Sequence, residues 1–278
     1  MTAPRRFLFV MHYPGYLRYF DSTVHQLAER GHQVEIVFDS PDKQAEGVEA
    51  LAQMEQGVTV LGRMPVRRDL WGTVARGVRG AIDYIRYWHP DFAGTPYLRD
   101  RMRSAIPSML WFIGRTTTAP VGRVRRWVGL LTTCERAIPS YPEIQEFISS
   151  RQPDVVLVTP LVTDQSPQCD VIKSAQALGI PTALCVASWD HLTTKGLIRV
   201  EPDLVGVWNE QQRTEAITYH NTPADRIVVT GAQPFDKWFE RRPTAREGLH
   251  RSLRCRGYSD RSALLRRLLE DAVPVSRR

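Results

Sequence analysis

Apolar runs and helical periodicities alternate along most of this chain. Arg6-Phe-Leu-Phe-Val-Met11 is an unbroken apolar run, the pattern of a parallel strand buried on both faces. After His12-Tyr-Pro-Gly15, the residues Leu17, Phe20, Val24, Leu27 and Ala28 recur at helical spacing up to Arg30, and Gly31 supplies a C-cap. Val34–Phe38 is the next strand, completing a βαβ unit whose crossover is expected to be right-handed. A short strand follows near Val58–Leu61. From about residue 64 to 135 the alternation gives way to a helical insertion. Asp69–Trp88 places Trp71, Val74, Val78, Ile82 and Ile85 on one face and Arg76, Arg79 and Arg86 elsewhere. Tyr97–Ile113 predicts a further helix, and Thr116–Arg126 is a basic segment of ambiguous structure.

The alternation then resumes. Tyr141–Arg151 reads as a helix and Asp154–Thr159 as a strand. Ser166 is expected to cap a helix that starts on Pro167 and ends at Leu178, closed by Gly179. Pro181–Val186 and Leu204–Trp208 are strands, Asn209–Gln212 resembles a capping box opening a helix to His220, and Arg226–Thr230 is the last strand. The expected fold is α/β: a Rossmann-like, doubly wound, mostly parallel sheet of about seven strands within residues 1–232, with no second Rossmann domain after it.

Composition narrows the class. With 278 residues, 42% hydrophobic and 24% charged, the chain is neither disordered, collagen-like nor a disulfide mini-scaffold. Its longest apolar stretches fall short of the roughly 18–20 residues of a spanning helix. The N-terminus lacks a signal-peptide core, so a cytoplasmic location is the expectation. Cys134, Cys169, Cys185 and Cys255 form no C-x-x-C pair, and the histidines show no ligand spacing, so neither metal nor cofactor is expected. The net charge of +7 is strongly segregated. Residues 63–127 hold 13 Lys and Arg against 4 Asp and Glu, and residues 241–278 hold 11 against 4. A nucleic-acid reading would rest on that tail alone, and no nucleic-acid partner is expected. The basic, tryptophan-bearing middle (Trp71, Trp88, Trp111, Trp127) has two readings: a solvated basic face over core tryptophans, or peripheral contact with an anionic bilayer.

Ligands of open α/β sheets bind beyond the carboxyl ends of the strands, which selects three loops. In His12–Gly15, one glycine makes neither a dinucleotide fingerprint nor a P-loop; His12 is a candidate general base, with Tyr13 and Gly15 beside it for substrate. In Ser188–Gly196, Asp190 is a candidate base or hydroxyl anchor. Ser188, Thr193 and Lys195 offer polar contacts there, and Trp189 a face for a sugar. Gly231, Gln233 and Asp236 lie in an exit turn after the last strand.

Taken together, H-Y-P-G, E-R-G-H-Q-V, P-D-V-V-L-V-T-P, G-I-P-T-A, S-W-D-H-L-T-T-K-G, V-W-N-E-Q-Q and V-V-T-G-A-Q-P-F-D resemble the N-terminal half of GT-B-fold glycosyltransferases. The nearest likeness is to a bacterial uncharacterised glycosyltransferase-like group, and more loosely to UDP-N-acetylglucosamine 2-epimerase. The resemblance implies an acceptor-side domain lined by His12, Gly15, Ser188, Trp189 and Asp190, working without metal, and an interdomain linker begun by Gly231, Gln233 and Asp236 and running over 233–245. A nucleotide sugar is then a partner only when a C-terminal domain is supplied; the acceptor would be a glycan, a lipid-linked molecule or a small molecule in polysaccharide or secondary-metabolite synthesis. The competing readings are a non-catalytic glycan- or lipid-binding module and a sugar epimerase fragment. Residues 246–278 are expected to be truncated or frameshifted text, because the chain turns Arg-rich where the donor half of such enzymes begins.

Overall fold

The computed structural model describes residues 3–41, 56–103, 106 and 119–240. Among them, seven strands form one parallel sheet: β1 (Arg6–Met11), β2 (Gln33–Phe38), β3 (Val58–Arg63), β4 (Val155–Thr159), β5 (Thr182–Cys185), β6 (Leu204–Val207) and β7 (Ile227–Val229). Their order is β3-β2-β1-β4-β5-β6-β7, and every neighbouring pair is parallel. The direction of progression reverses between β1 and β4, which puts the switch point, and the crevice it opens, at the ends of these two strands.

The apolar run of β1 is explained by burial on both faces. Leu8 and Val10 point to one core, shared with α5 (Pro142–Ser149) and α6 (Gln168–Ala177). Phe9 and Met11 point to the other, against Leu17, Phe20 and Val24 of α1 (Leu17–Glu29). Gly31 follows α1 at φ +81°, a conformation that costs glycine little, and returns the chain to β2.

The helical insertion holds α2 (Leu70–Arg86), α3 (Pro96–Met102) and α4 (Val121–Ala137). Thr116–Arg126, ambiguous by pattern, runs into α4 from Val121 onward, and the helix expected over Tyr97–Ile113 is α3 up to Met102; most of the remainder lies outside the described residues. Helix α6 begins at Gln168, so Pro167 sits at its cap position and Ser166 Oγ accepts from Gln168 N at 3.3 Å. Helix α8 (Glu210–His220) has Asn209 as its cap, accepting from Gln212 N at 2.9 Å. Gln212 Oε1 turns back to Trp208 N rather than to Asn209 N, so the capping box is only half formed.

Helix α2 departs in part from the expected orientation, although Ile82 of its apolar stripe is fully buried. Trp71 and Val74 of its apolar stripe are 46% and 47% exposed, whereas Arg79 and Arg86 are 2% and 3% exposed. Arg79 lies between two buried carboxylates, 2.8 Å from Glu135 on α4 and 2.9 Å from Asp170 on α6; Arg67 reaches the same Asp170 at 3.1 Å. Asp83 pairs with the buried Arg199. Partners on other elements therefore hold Arg79 inward, because two buried carboxylates offset its lost hydration, whereas Arg76 on the same helix finds no such partner among the described residues and stays exposed. Of the tryptophans, Trp88 is buried, Trp127 is 48% exposed, and Trp111 lies outside the described residues. No helix among the described residues is long and apolar enough to cross a membrane. The chain divides into two units, Met1–Asp236 and Lys237–Arg278. Within the second, the residues after Glu240, including the Arg-rich stretch, lie outside the described residues.

Candidate functional site

The carboxyl ends of β1, β2, β4 and β5 carry the polar residues of the crevice. His12 follows β1 and Asp39 follows β2; parallel pairing puts Met11 beside Phe38 and so brings the two next residues together. His12 Nδ1 lies 2.5 Å from Asp39 Oδ1, with side-chain exposures of 18% and 2%. The second carboxylate oxygen of Asp39 accepts from Gln168 Nε2 at 3.0 Å. Gln168 is buried and fixed at both ends, donating to Thr159 O at 2.7 Å and accepting from Leu161 N at 2.9 Å. A carboxylate at Nδ1 requires the proton there, which leaves Nε2 of a neutral His12 as a lone-pair acceptor. This is the geometry of an oriented general base.

Tyr13 starts the turn, its ring edge-on to His12 at 5.3 Å and to Tyr16 at 4.8 Å, and Gly15 lies in the single 3-10 turn Pro14–Tyr16. Tyr16 joins the first two loops, with ring centroids 6.3 Å from His12 and 6.5 Å from His191. Burial pushes its phenol well above the ordinary range, and Tyr13, Tyr19 and the charges of Asp39 and Asp190 push the same way.

The loop after β5 contains the one-turn helix α7 (His191–Thr194). Ser188 Oγ donates to Asp190 Oδ1 at 2.6 Å, and Thr194 Oγ1 donates to Asp190 Oδ2 at 2.9 Å. Burial pushes the Asp190 carboxyl up, but these two hydrogen bonds, with the nearby charges of His191 and Lys195, hold it below the usual carboxylate range. Thr193 Oγ1 donates to Asp190 O at 3.2 Å. Trp189 projects outward, 74% exposed. Lys195 accepts through its carbonyl from Arg86 and Tyr87, both at 2.7 Å. Burial pulls the His191 imidazole down to about 4, against the opposing charge of Asp190.

The exit turn lies at the same edge of the sheet. Gly231 adopts φ +86°, Gln233 Nε2 donates to Val186 O at 3.4 Å, and Ser22 Oγ of α1 donates to Asp236 Oδ2 at 2.9 Å. Among the described residues no group of three or more His, Cys, Asp or Glu side chains comes together in a way that would hold a metal ion.

Two members of the site escaped the sequence pattern. Asp39 is the first polar residue after Val34–Phe38, so the strand-end rule that singles out His12 applies to it equally. Gln168 carried no such signal, since its role depends on α6 pointing its first turn at the β2 end.

The sheet order and the crevice define a Rossmann-like α/β domain. No protein-family model matches the chain, and no curated protein matches it. Among solved structures it is similar to UGT89C1 of Arabidopsis thaliana complexed with UDP-L-rhamnose, with 14% identity, a TM-score of 0.41, and coverage of 84% of this chain and 50% of that one. The quercetin complex of the same protein gives 14% identity, a TM-score of 0.41 and coverage of 87% and 56%; the UDP complex gives 12%, 0.40, 82% and 49%. The chain thus spans about half the length of these structures.

Proposed function

We propose that this chain forms the acceptor side of a glycosyltransferase, with His12 as the base and Asp39 as the carboxylate that orients it. The observation that carries this reading is the 2.5 Å contact between His12 Nδ1 and a buried Asp39 whose other oxygen is also held. His12 Nε2 takes the proton of an acceptor hydroxyl as that oxygen bonds to the anomeric carbon of a nucleotide sugar. The bond from that carbon to the diphosphate breaks, and its electron pair leaves with the nucleoside diphosphate. Asp39 stabilises the imidazolium that forms. The nucleotide sugar belongs to a facing Rossmann-like half, and the connection to it starts at residues 233–245.

Asp190 serves as a hydroxyl anchor rather than a second base, since the hydrogen bonds from Ser188 and Thr194 hold its carboxyl below the usual range, while each oxygen keeps a second lone pair for a substrate hydroxyl. Trp189 offers its exposed face to a sugar ring of the acceptor. Tyr13, Gly15, Ser188, Thr193 and Lys195 line the approach. A lipid-linked acceptor is favoured by the exposed Leu70, Trp71, Val74, Trp127 and Leu130 of the insertion, with Arg76, Arg123 and Arg126 on the same helices.

Incubating the chain with panels of nucleotide sugars and hydroxyl acceptors, with saturation-transfer NMR on the acceptors, tests the reading. Acceptor binding that weakens in Trp189→Ala supports it. Binding of no acceptor, or acceptor binding indifferent to Trp189, overturns it. Acceptor binding without transfer in a version joined to a donor half, with His12→Ala no different, favours a glycan-binding module.

A further inference from the structure

A cavity of about 310 Å³ lies between α2, α4, α8 and the segment Leu197–Glu201. It shares no lining residue with His12, Asp39 or Asp190. Among the described residues its wall holds four arginines, Arg86, Arg125, Arg136 and Arg199, against one carboxylate, Glu201. That carboxylate is already divided between Arg136 at 3.1 Å and Arg226 at 3.5 Å. Arg199 is matched by Asp83, which gives it both oxygens. Arg125 is exposed and has no ion-pair partner among the described residues.

Arg86 is the unusual member. It is 3% exposed, yet among the described residues its hydrogen bonds go to backbone carbonyls of residues 192–196, including Lys195 and Gly196 at 2.7 and 2.8 Å. Its Nε is shielded from solvent and has no partner. A guanidinium buried without a carboxylate is costly unless an anion comes close to it, and the remaining wall offers Phe92 and Val124 as an apolar side. The volume suits a small molecule rather than a polymer.

We propose that this pocket binds a small phosphate ester carrying an apolar or aromatic group. Arginine forks match phosphate oxygens better than any other side chain, and an excess of guanidinium over carboxylate favours a multiply charged anion over a carboxylate. Because Arg86 holds the carbonyls behind α7, occupancy is transmitted to the loop bearing Asp190. The proposal stands apart from the acceptor reading, and its readout is binding, not sugar transfer.

Isothermal titration of the full chain with phenyl phosphate at low ionic strength, with benzoate as the carboxylate control, tests it. Saturable binding is expected, weakened by about tenfold or more in Arg125→Gln/Arg136→Gln, which alters only exposed side chains, and unchanged in His12→Ala. Absence of saturable binding, affinity unchanged in the double variant, loss in His12→Ala, or equal affinity for benzoate would each overturn the proposal.

Discussion

His12 Nδ1 and Asp39 Oδ1 stand 2.5 Å apart although 27 residues separate them, each at the carboxyl end of its own strand. The contact exists because β1 and β2 are adjacent and in register, so the first polar residue after each lands beside the other. Asp39→Asn keeps the shape but removes the charge that stabilises a protonated His12. Under the proposed function, transfer activity of the chain joined to a donor half is expected to fall on the order of 10²–10⁴-fold, with acceptor binding retained. Activity within a factor of a few of the parent would remove Asp39 from the mechanism.

Stability should fall on acidification through the histidines behind the site. An unfolded His191 takes a proton below its ordinary value of 6.5, whereas the folded, buried residue does so only near 4. Between those values the unfolded chain binds more protons, so the stability present above 6.5 is lost as the pH drops toward 4, by about 3 kcal/mol from this residue. Burial lowers His220 in the same direction, helped by the charge of Arg86. Urea melts from pH 7 to 4.5 should show this slope, and His191→Phe should flatten it. An unchanged slope in that variant would show that His191 is not the group responsible.

Gly196 should tolerate no side chain. A Cβ there would collide with Arg199 Nη2 and with the Asp83 carboxylate, neither of which has room to move because both are fully buried and paired. Gly196→Ala is expected to cost about 3–5 kcal/mol, as for a broken buried ion pair, read as a lowered urea midpoint. A cost under about 1 kcal/mol would mean that the pair can shift.

Arginines on one helix should differ sharply. Arg79→Met leaves Glu135 and Asp170 with one cation fewer in a buried cluster, for an expected loss of about 3–5 kcal/mol. Arg76, one turn away, is exposed and among the described residues bonds Thr73, so Arg76→Met should change stability by about 0.5 kcal/mol or less. Equal effects would contradict the inward orientation of Arg79.

The insertion offers a test of lipid contact. Flotation with anionic and neutral liposomes should recover more of the chain with the anionic ones, and Trp71→Ser with Trp127→Ser should reduce that recovery. Equal recovery from both lipids would end the membrane reading of this surface.

Strands and helices of the Rossmann-like unit were legible in the sequence because each signal is local. An apolar run marks a two-faced buried strand, as in β1, and a glycine with positive φ ends a helix, as at Gly31 and Gly179. His12 and the Ser188–Gly196 loop were selected as candidates by the same logic, since loops at strand ends are where a sheet of this kind exposes chemistry.

What only tertiary structure decided is which distant groups meet. Periodicity placed Trp71, Val74, Val78, Ile82 and Ile85 on one face of α2, yet Glu135 and Asp170 draw Arg79 inward and Arg199 draws Asp83 inward while Trp71 stays half exposed, and none of these partners can be read from the helix itself. The pairing of His12 with Asp39, the fixing of Asp39 by Gln168, and the exposure of Arg125 and Arg136 around one cavity depend likewise on strand order and helix docking. Hydrophobic pattern sets what a segment becomes, because it acts over a few residues; charge pairing sets how segments face each other, because an ion finds its partner through space.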